Sequence, residues 1–129
     1  MSLTSGPHRL AFLSGQTGRR PDGSISRDPQ QQAVDAFHNI AALLDAVGSG
    51  PNRIAHLRTY LVGRDALPPF VAARTSVFDG WFGDDAPPSN TLSIVAGLAD
   101  CEATVEIEAV AEVQSLSTEN AFDNPPDLK

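Results

Sequence analysis

The sequence has one cysteine, one lysine and no long apolar run, and each scarcity excludes a class of protein. Cys101 alone cannot form an intramolecular disulfide, which fits a reducing compartment and predicts a cytoplasmic protein. No apolar run approaches the roughly 18 residues of a membrane span, and the N-terminus lacks a basic stretch followed by an apolar one. We therefore expect neither a membrane protein nor a secreted one.

Positive charge is also scarce, because Lys and Arg number 9 against 16 Asp and Glu, for a net charge of −7. An acidic chain repels a phosphate backbone, so we expect no nucleic-acid partner. The one basic cluster, Arg19-Arg20 with Arg27, belongs to a Gly/Pro/Asp loop. The only lysine, Lys129 at the C-terminal end, leaves no residue for Schiff-base chemistry.

Patterns typical of metal and cofactor sites are missing as well. His8, His38 and His56 fall in three different segments, without the spacing of a metal site. Phosphate-loop, dinucleotide-binding and nucleophile-elbow patterns do not occur. Two acidic neighbours, Asp100 and Glu102, disfavour a reactive thiolate between them. We predict no metal and no cofactor.

Two amphipathic helices are predicted. The first has Asp28 as N-cap, Pro29 at its first position and Gly48 just past its end. The second begins near 67–70, with two prolines in its first turn. Both carry an apolar stripe at helical spacing, formed by Val34, Phe37, Ile40, Leu44 and Val47 in the first and by Val71, Thr75, Phe78 and Phe82 in the second.

The remaining apolar segments are predicted as strands, at residues 9–16, 53–62, 91–96 and 103–113, with a brief one at 24–26. Helices interspersed among strands, followed by a final meander, indicate an α+β fold with both helices on one face of the sheet. We expect a single domain over residues 1–113 and a polar C-terminal tail over 114–129.

The last strand carries the most informative carboxylates. Its residues alternate between apolar and largely polar, which places Glu106 and Glu108 together on one face. That face is either solvated, or covered so that a carboxylate acts as a general acid or base in a pocket. Periodicity alone leaves both interpretations open.

Four segments together resemble the RidA/YjgF family, in the same order and with matching spacing. The resemblance runs from about residue 9 to residue 113 and rests on Phe12-Leu13-Ser14-Gly15-Gln16, the Asn39-Ile40 helix ending at Gly48, Phe70 to Gly83, and Val105-Glu106-Ile107-Glu108-Ala109.

The resemblance implies a chorismate-mutase-like α+β fold, with a mixed sheet and two helices on one face, assembled as a homotrimer. It also implies small-molecule clefts between subunits and the hydrolysis of reactive enamines and imines to 2-oxo acids and ammonia. In that scheme an arginine binds the substrate carboxylate as a charge-assisted pair. A glutamate on the last strand holds the attacking water.

The match at the implied site is partial. Glu106 stands at the position of the family's glutamate, and Ser14 and Gly15 match the turn that lines the cleft. Three other substrate-binding positions differ. Asn90 replaces the arginine, Leu92 a frequent cysteine and Thr75 a frequent asparagine. An asparagine donates hydrogen bonds but carries no charge, so the carboxylate clamp is lost.

Three hypotheses about function follow. The first is a cleft that binds or hydrolyses a small imine, enamine or carbonyl metabolite less anionic than an imino acid, using Glu106 with Asn90. The second is an ordinary 2-imino-acid deaminase in which Arg58 or Arg74 supplies the clamp. The third is a binding or regulatory module without catalysis. The ribonuclease label attached to the family fits poorly with so acidic a chain.

Overall fold

The computed structural model describes residues 1–114, and in them the predicted α+β fold is confirmed. None of the helices in this part of the chain is long and apolar enough to cross a membrane. The predicted tail, apart from Gln114, lies outside the described residues. The elements are β1 (His8–Gln16), α1 (Pro29–Ala46), β2 (Ile54–Val62), α2 (Leu67–Phe82), β3 (Ser89–Val95) and β4 (Val105–Gln114).

Helix α1 has the ends that its sequence predicts. The Asp28 side chain accepts a hydrogen bond from the Gln30 backbone N–H at 3.1 Å, which satisfies one of the free donors of the first turn. Past the last turn, Gly48 takes a φ of +72°. This conformation costs glycine little and lets the Ser49 N–H reach the Leu44 carbonyl at 2.8 Å.

The sheet has the order β1-β4-β2-β3. Strand β4 is antiparallel to both neighbours, whereas β3 is parallel to β2. The predicted final meander is therefore wrong. Helix α2 carries the chain back along the sheet, so that β3 starts from the same end as β2 and pairs with it in parallel, and β4 then enters between β1 and β2. The brief strand predicted at 24–26 is only an isolated bridge between Arg19 and Ile25.

Both helices cover one face of the sheet, and the core lies between. Alternate residues of β4 are buried on this inner face, from Val105 to Ala111. The rings of Phe37 on α1 and Phe70 on α2 stack there with centroids 5.8 Å apart. The opposite face, here called the outer face, carries the other residues of β4, including Glu106 and Glu108.

Candidate functional site

Glu106 lies beside a bulge in β1. The register between β1 and β4 shifts between Leu13 and Gln16, which leaves one extra residue in the Ser14-Gly15 segment. The Glu106 carboxylate rests directly on Gly15, and a side chain at position 15 would overlap Oε1. Glycine at position 15 leaves the space that the Glu106 carboxylate occupies.

The neighbouring Glu108 is held differently. Its Oε1 accepts a hydrogen bond from the Tyr60 hydroxyl at 2.9 Å and lies 3.8 Å from Nε of Arg58. By contrast, no hydrogen bond to the Glu106 carboxylate forms within residues 1–114. Of the two carboxylates that the periodicity could not separate, Glu106 is the one whose oxygens are available to a ligand or a water molecule.

The loop after the bulge is fixed to α1 by polar contacts. The Asn39 side chain donates to the carbonyls of Thr17 and Arg19, at 2.9 and 2.8 Å. Gly18 lies so close to the Gln32 backbone that any Cβ atom there would overlap it. These contacts fix the loop that follows Gly15 against α1.

An ion pair joins this loop to the turn before β4. Arg19 forms a bidentate contact with Asp100, at 2.8 Å from Nε and 2.9 Å from Nη2. The hydrogen bond from Arg19 holds the pKa of the Asp100 carboxyl below its ordinary value of 3.8, and the Glu102 N–H adds to the effect. Arg20 in turn pairs with Asp35 at 3.0 Å. Two of the three arginines of the basic cluster, Arg19 and Arg20, are thus paired with carboxylates.

Asn90 and Leu92 lie on the inner face, opposite Glu106. In the parallel pairing Asn90 stands beside Leu57 and Leu92 beside Thr59, both of which are buried. The Thr59 hydroxyl donates to Asn90 Oδ1 at 3.3 Å. Leu92 packs against the core, so its position supplies apolar contact rather than a thiol.

Thr75 lies on the exposed side of α2, where its hydroxyl donates to the Val71 carbonyl at 2.9 Å. It lines an open cavity of about 350 Å³ at the C-terminal half of the helix. The walls of this cavity include two carboxylates, Asp79 and Asp85, and two aromatic rings, Phe78 and Phe82. No basic side chain lines it among the described residues.

The predicted site residues thus lie in three places. Ser14, Gly15 and Glu106 lie at the bulge, Asn90 and Leu92 lie on the other face of the sheet, and Thr75 lies on the exposed side of α2. Sequence reasoning missed Thr59. The available signal was a polar residue at an inward position of β2, between Leu57 and Leu61.

The two arginines proposed as substitute clamps also separate. Arg58 lies on the outer face, where its register partner on β4 is Glu108, and its side chain is 53% exposed. Arg74 on α2 stacks over the Phe70 ring, with 5.5 Å between the guanidinium carbon and the ring centroid. Only Arg58 therefore shares a face with Glu106.

The outer face also exposes apolar side chains that a monomer leaves in water. Phe12 is 76% exposed and Leu10 47% exposed on β1. Phe12 pairs with Val110 in the register and lines a cavity of about 250 Å³ with His56 and Arg58. Apolar surface next to a polar network is typical of a face that another protein surface covers. No group of three potential metal-ligating side chains occurs in the described part of the chain, and Cys101 is exposed.

Comparison with known proteins finds one matching family and several solved structures with the same fold. The family described as Endoribonuclease L-PSP matches residues 4–113. The structure of Escherichia coli TdcF with bound serine is similar at a TM-score of 0.74 and 26% identity, over 87% of this chain and 91% of that one. The Yersinia pestis Rid protein YyfB is similar at a TM-score of 0.70 and 27% identity, over 81% and 79% of the two chains.

Two further structures share the fold at lower identity. The E. coli YjgF gene product has a TM-score of 0.74 at 22% identity, over 86% of this chain and 84% of that one. RidA from the Antarctic bacterium Psychrobacter sp. PAMC 21119 has a TM-score of 0.70 at 23% identity, over 87% and 85%. No curated protein sequence matches the chain.

Proposed function

Because the chain belongs to the RidA/YjgF family, described as Endoribonuclease L-PSP, we propose that it is a homotrimer whose clefts between subunits bind and hydrolyse a small imine, enamine or carbonyl metabolite. The observation that carries this proposal is the free carboxylate of Glu106 on Gly15. The single exposed cysteine supports a reducing, cytoplasmic location.

Glu106 supplies the base in this reaction. A water molecule hydrogen-bonded to the carboxylate gives up a proton as its oxygen attacks the imine carbon, which forms a carbinolamine. The carboxylate delivers this proton to the imine nitrogen, which completes the carbinolamine. It then takes the proton of the carbinolamine hydroxyl and passes it to the same nitrogen as the carbon–nitrogen bond breaks, so that ammonia and a carbonyl compound leave and the carboxylate is regenerated. Glu108 is unsuited to this role because Tyr60 and Arg58 already engage its carboxylate.

A second copy of the chain is needed to complete the cleft. Glu106 with Gly15 and Asn90 with Leu92 lie on opposite faces of one sheet, so a small ligand reaches both groups only where two subunits meet. The exposed apolar residues of the outer face supply the surface for such a contact. Three chains of 13.6 kDa predict an assembly of about 41 kDa in light scattering.

The ligand in this proposal is less anionic than an imino acid. Asn90 brings no positive charge, and the cavity beside Thr75 carries two carboxylates. The carboxylate of a substrate bound beside Thr75 would be repelled by these side chains rather than held by a cation. E. coli TdcF with bound serine shows that a relative takes a small polar molecule, which supports a ligand of similar size here.

Turnover with two matched variants tests the proposal. An amino-acid oxidase supplies imines, and release of the carbonyl product is followed with and without this protein. Glu106→Gln should lower the acceleration by about 10²- to 10⁴-fold, whereas Glu108→Gln, whose amide oxygen still accepts from Tyr60, should retain it. Equal losses in both variants would show that the outer-face carboxylates act structurally. No acceleration by a folded wild-type trimer would favour a binding module without catalysis.

One observation favours a second candidate, the ordinary 2-imino-acid deaminase. Arg58 shares the outer face with Glu106 and keeps an exposed guanidinium, held only at 3.8 Å from Glu108. If Arg58 binds the substrate carboxylate, Arg58→Met should raise the KM for imino acids and leave neutral imines unaffected.

A further inference from the structure

Thr59 is a buried polar residue in an otherwise apolar part of the inner face. It is 1% exposed and lies between the core residues Leu57 and Leu61 on β2. Its hydroxyl oxygen is 3.3 Å from Asn90 Oδ1 on the adjacent strand. Asn90 itself is half-buried.

The single hydroxyl hydrogen of Thr59 determines the orientation of the Asn90 amide. The Thr59 hydroxyl has a single hydrogen, and within residues 1–114 its only side-chain partner is Asn90. If the amide were turned so that Nδ2 faced Thr59, the buried hydroxyl hydrogen would lose its acceptor, which is costly away from water. Oδ1 therefore faces Thr59, and the two N–H groups of Nδ2 face away from it. Within the described residues those N–H groups have no acceptor.

We infer that Thr59 is a positioning residue that presents the Asn90 N–H groups to the ligand, and that the site is specific for a neutral carbonyl oxygen, as in an amide or ester. This inference rests on the proposed function, because it assigns Asn90 to the same cleft. Neutral donors satisfy a carbonyl oxygen fully but leave most of a carboxylate's charge unbalanced.

Binding of two matched probes tests the inference without requiring catalysis. Pyruvamide and pyruvate share one carbon skeleton and differ in charge, and each is titrated into the full-length protein by calorimetry or NMR. We expect pyruvamide to bind at least about tenfold more tightly. Equal affinity, tighter binding of pyruvate, or no binding of either probe would overturn the inference.

Substitutions at position 59 separate positioning from packing. Thr59→Val keeps the shape but removes the hydroxyl, so the amide can turn, and the preference for pyruvamide should fall about five- to tenfold. Thr59→Ser keeps the hydroxyl and should restore most of the preference. An unchanged preference in a folded Thr59→Val variant would refute the role of Thr59. If that variant does not fold, Asn90→Leu, which removes the N–H donors at similar size and adds no charge, should abolish the preference, and a preference that persists in it would refute the inference.

The inference and the proposed function fail in different ways. Glu106-dependent imine hydrolysis without any preference for neutral substrates would leave the proposed function standing and overturn the inference. Thr59-dependent binding of pyruvamide, without hydrolysis of any imine, would support the inference as a binding specificity and contradict the proposed chemistry.

Discussion

The carboxylate of Glu106 rests on the backbone of Gly15, in a space that any side chain at position 15 would fill. Strands β1 and β4 together determine the position of the Glu106 carboxylate. The bulge in β1 positions the glycine, and the alternation of β4 directs the glutamate toward it. A substitution at position 15 therefore displaces the Glu106 carboxylate while Glu106 itself stays unchanged.

Gly15→Ala should disable the site while sparing the fold. The methyl group meets the far end of a flexible side chain, so the carboxylate shifts and little else moves. A displacement of about 1 Å in a catalytic group costs up to about 10²-fold in turnover, and we expect a loss of that size in imine hydrolysis. Gly97→Ala is the control, because a Cβ at position 97 meets no other atom within 4 Å. Full activity in a folded Gly15→Ala variant would argue against this location of Glu106.

Asp100→Asn should alter stability in a pH-dependent manner. Because Arg19 lowers the pKa of Asp100 in the folded state below 3.8, the unfolded chain binds the proton more strongly, and the stabilisation is present above that value. It is lost as the pH falls from about 4 through the lowered pKa. Urea midpoints of the variant should therefore lie below those of the wild type at neutral pH and converge once the pH falls below the lowered pKa of Asp100, at fixed protein concentration. Asp84→Asn, at an exposed position, is the control, and a difference that persists in acid would be inconsistent with this ion pair.

Phe12→Asp should disrupt the assembly. Phe12 is 76% exposed and pairs with Val110 on the outer face, where burial against another copy would make a carboxylate costly. Light scattering should show a mass near 13.6 kDa instead of about three times that value. Leu43→Asp, on the exposed side of α1 and 40% exposed, should leave the mass unchanged. The trimer proposal fails if the wild type itself is monomeric at micromolar concentration.

Local patterns predicted the elements of this fold better than their arrangement. The Asp28 cap, the Gly48 stop and the alternation of β4 each depend on neighbouring residues, and the structure confirms all three. The meander failed because strand neighbours depend on how α2 returns the chain to the sheet. That path is set by packing over the whole core, which no short segment encodes.

The same distinction between local pattern and long-range arrangement applies to the candidate site. Alternation could place Glu106 and Glu108 on one face, but their difference comes from cross-strand neighbours, the bulge at Gly15 and the hydroxyl of Tyr60. A single sequence does not reveal register. Thr59 was overlooked for a similar reason, since its partner Asn90 lies 31 positions away in the chain.

Mixing two inactive variants tests most directly whether the cleft is shared between subunits. Glu106→Gln and Asn90→Ala are each purified, then unfolded, mixed in equal amounts and refolded together. If one subunit supplies Glu106 and its neighbour Asn90, random mixed trimers regain intact clefts at about a quarter of their interfaces, and imine hydrolysis should return to about a quarter of the wild-type rate. A mixture that remains as inactive as its two components, although mixed trimers form, would contradict a cleft built from two subunits.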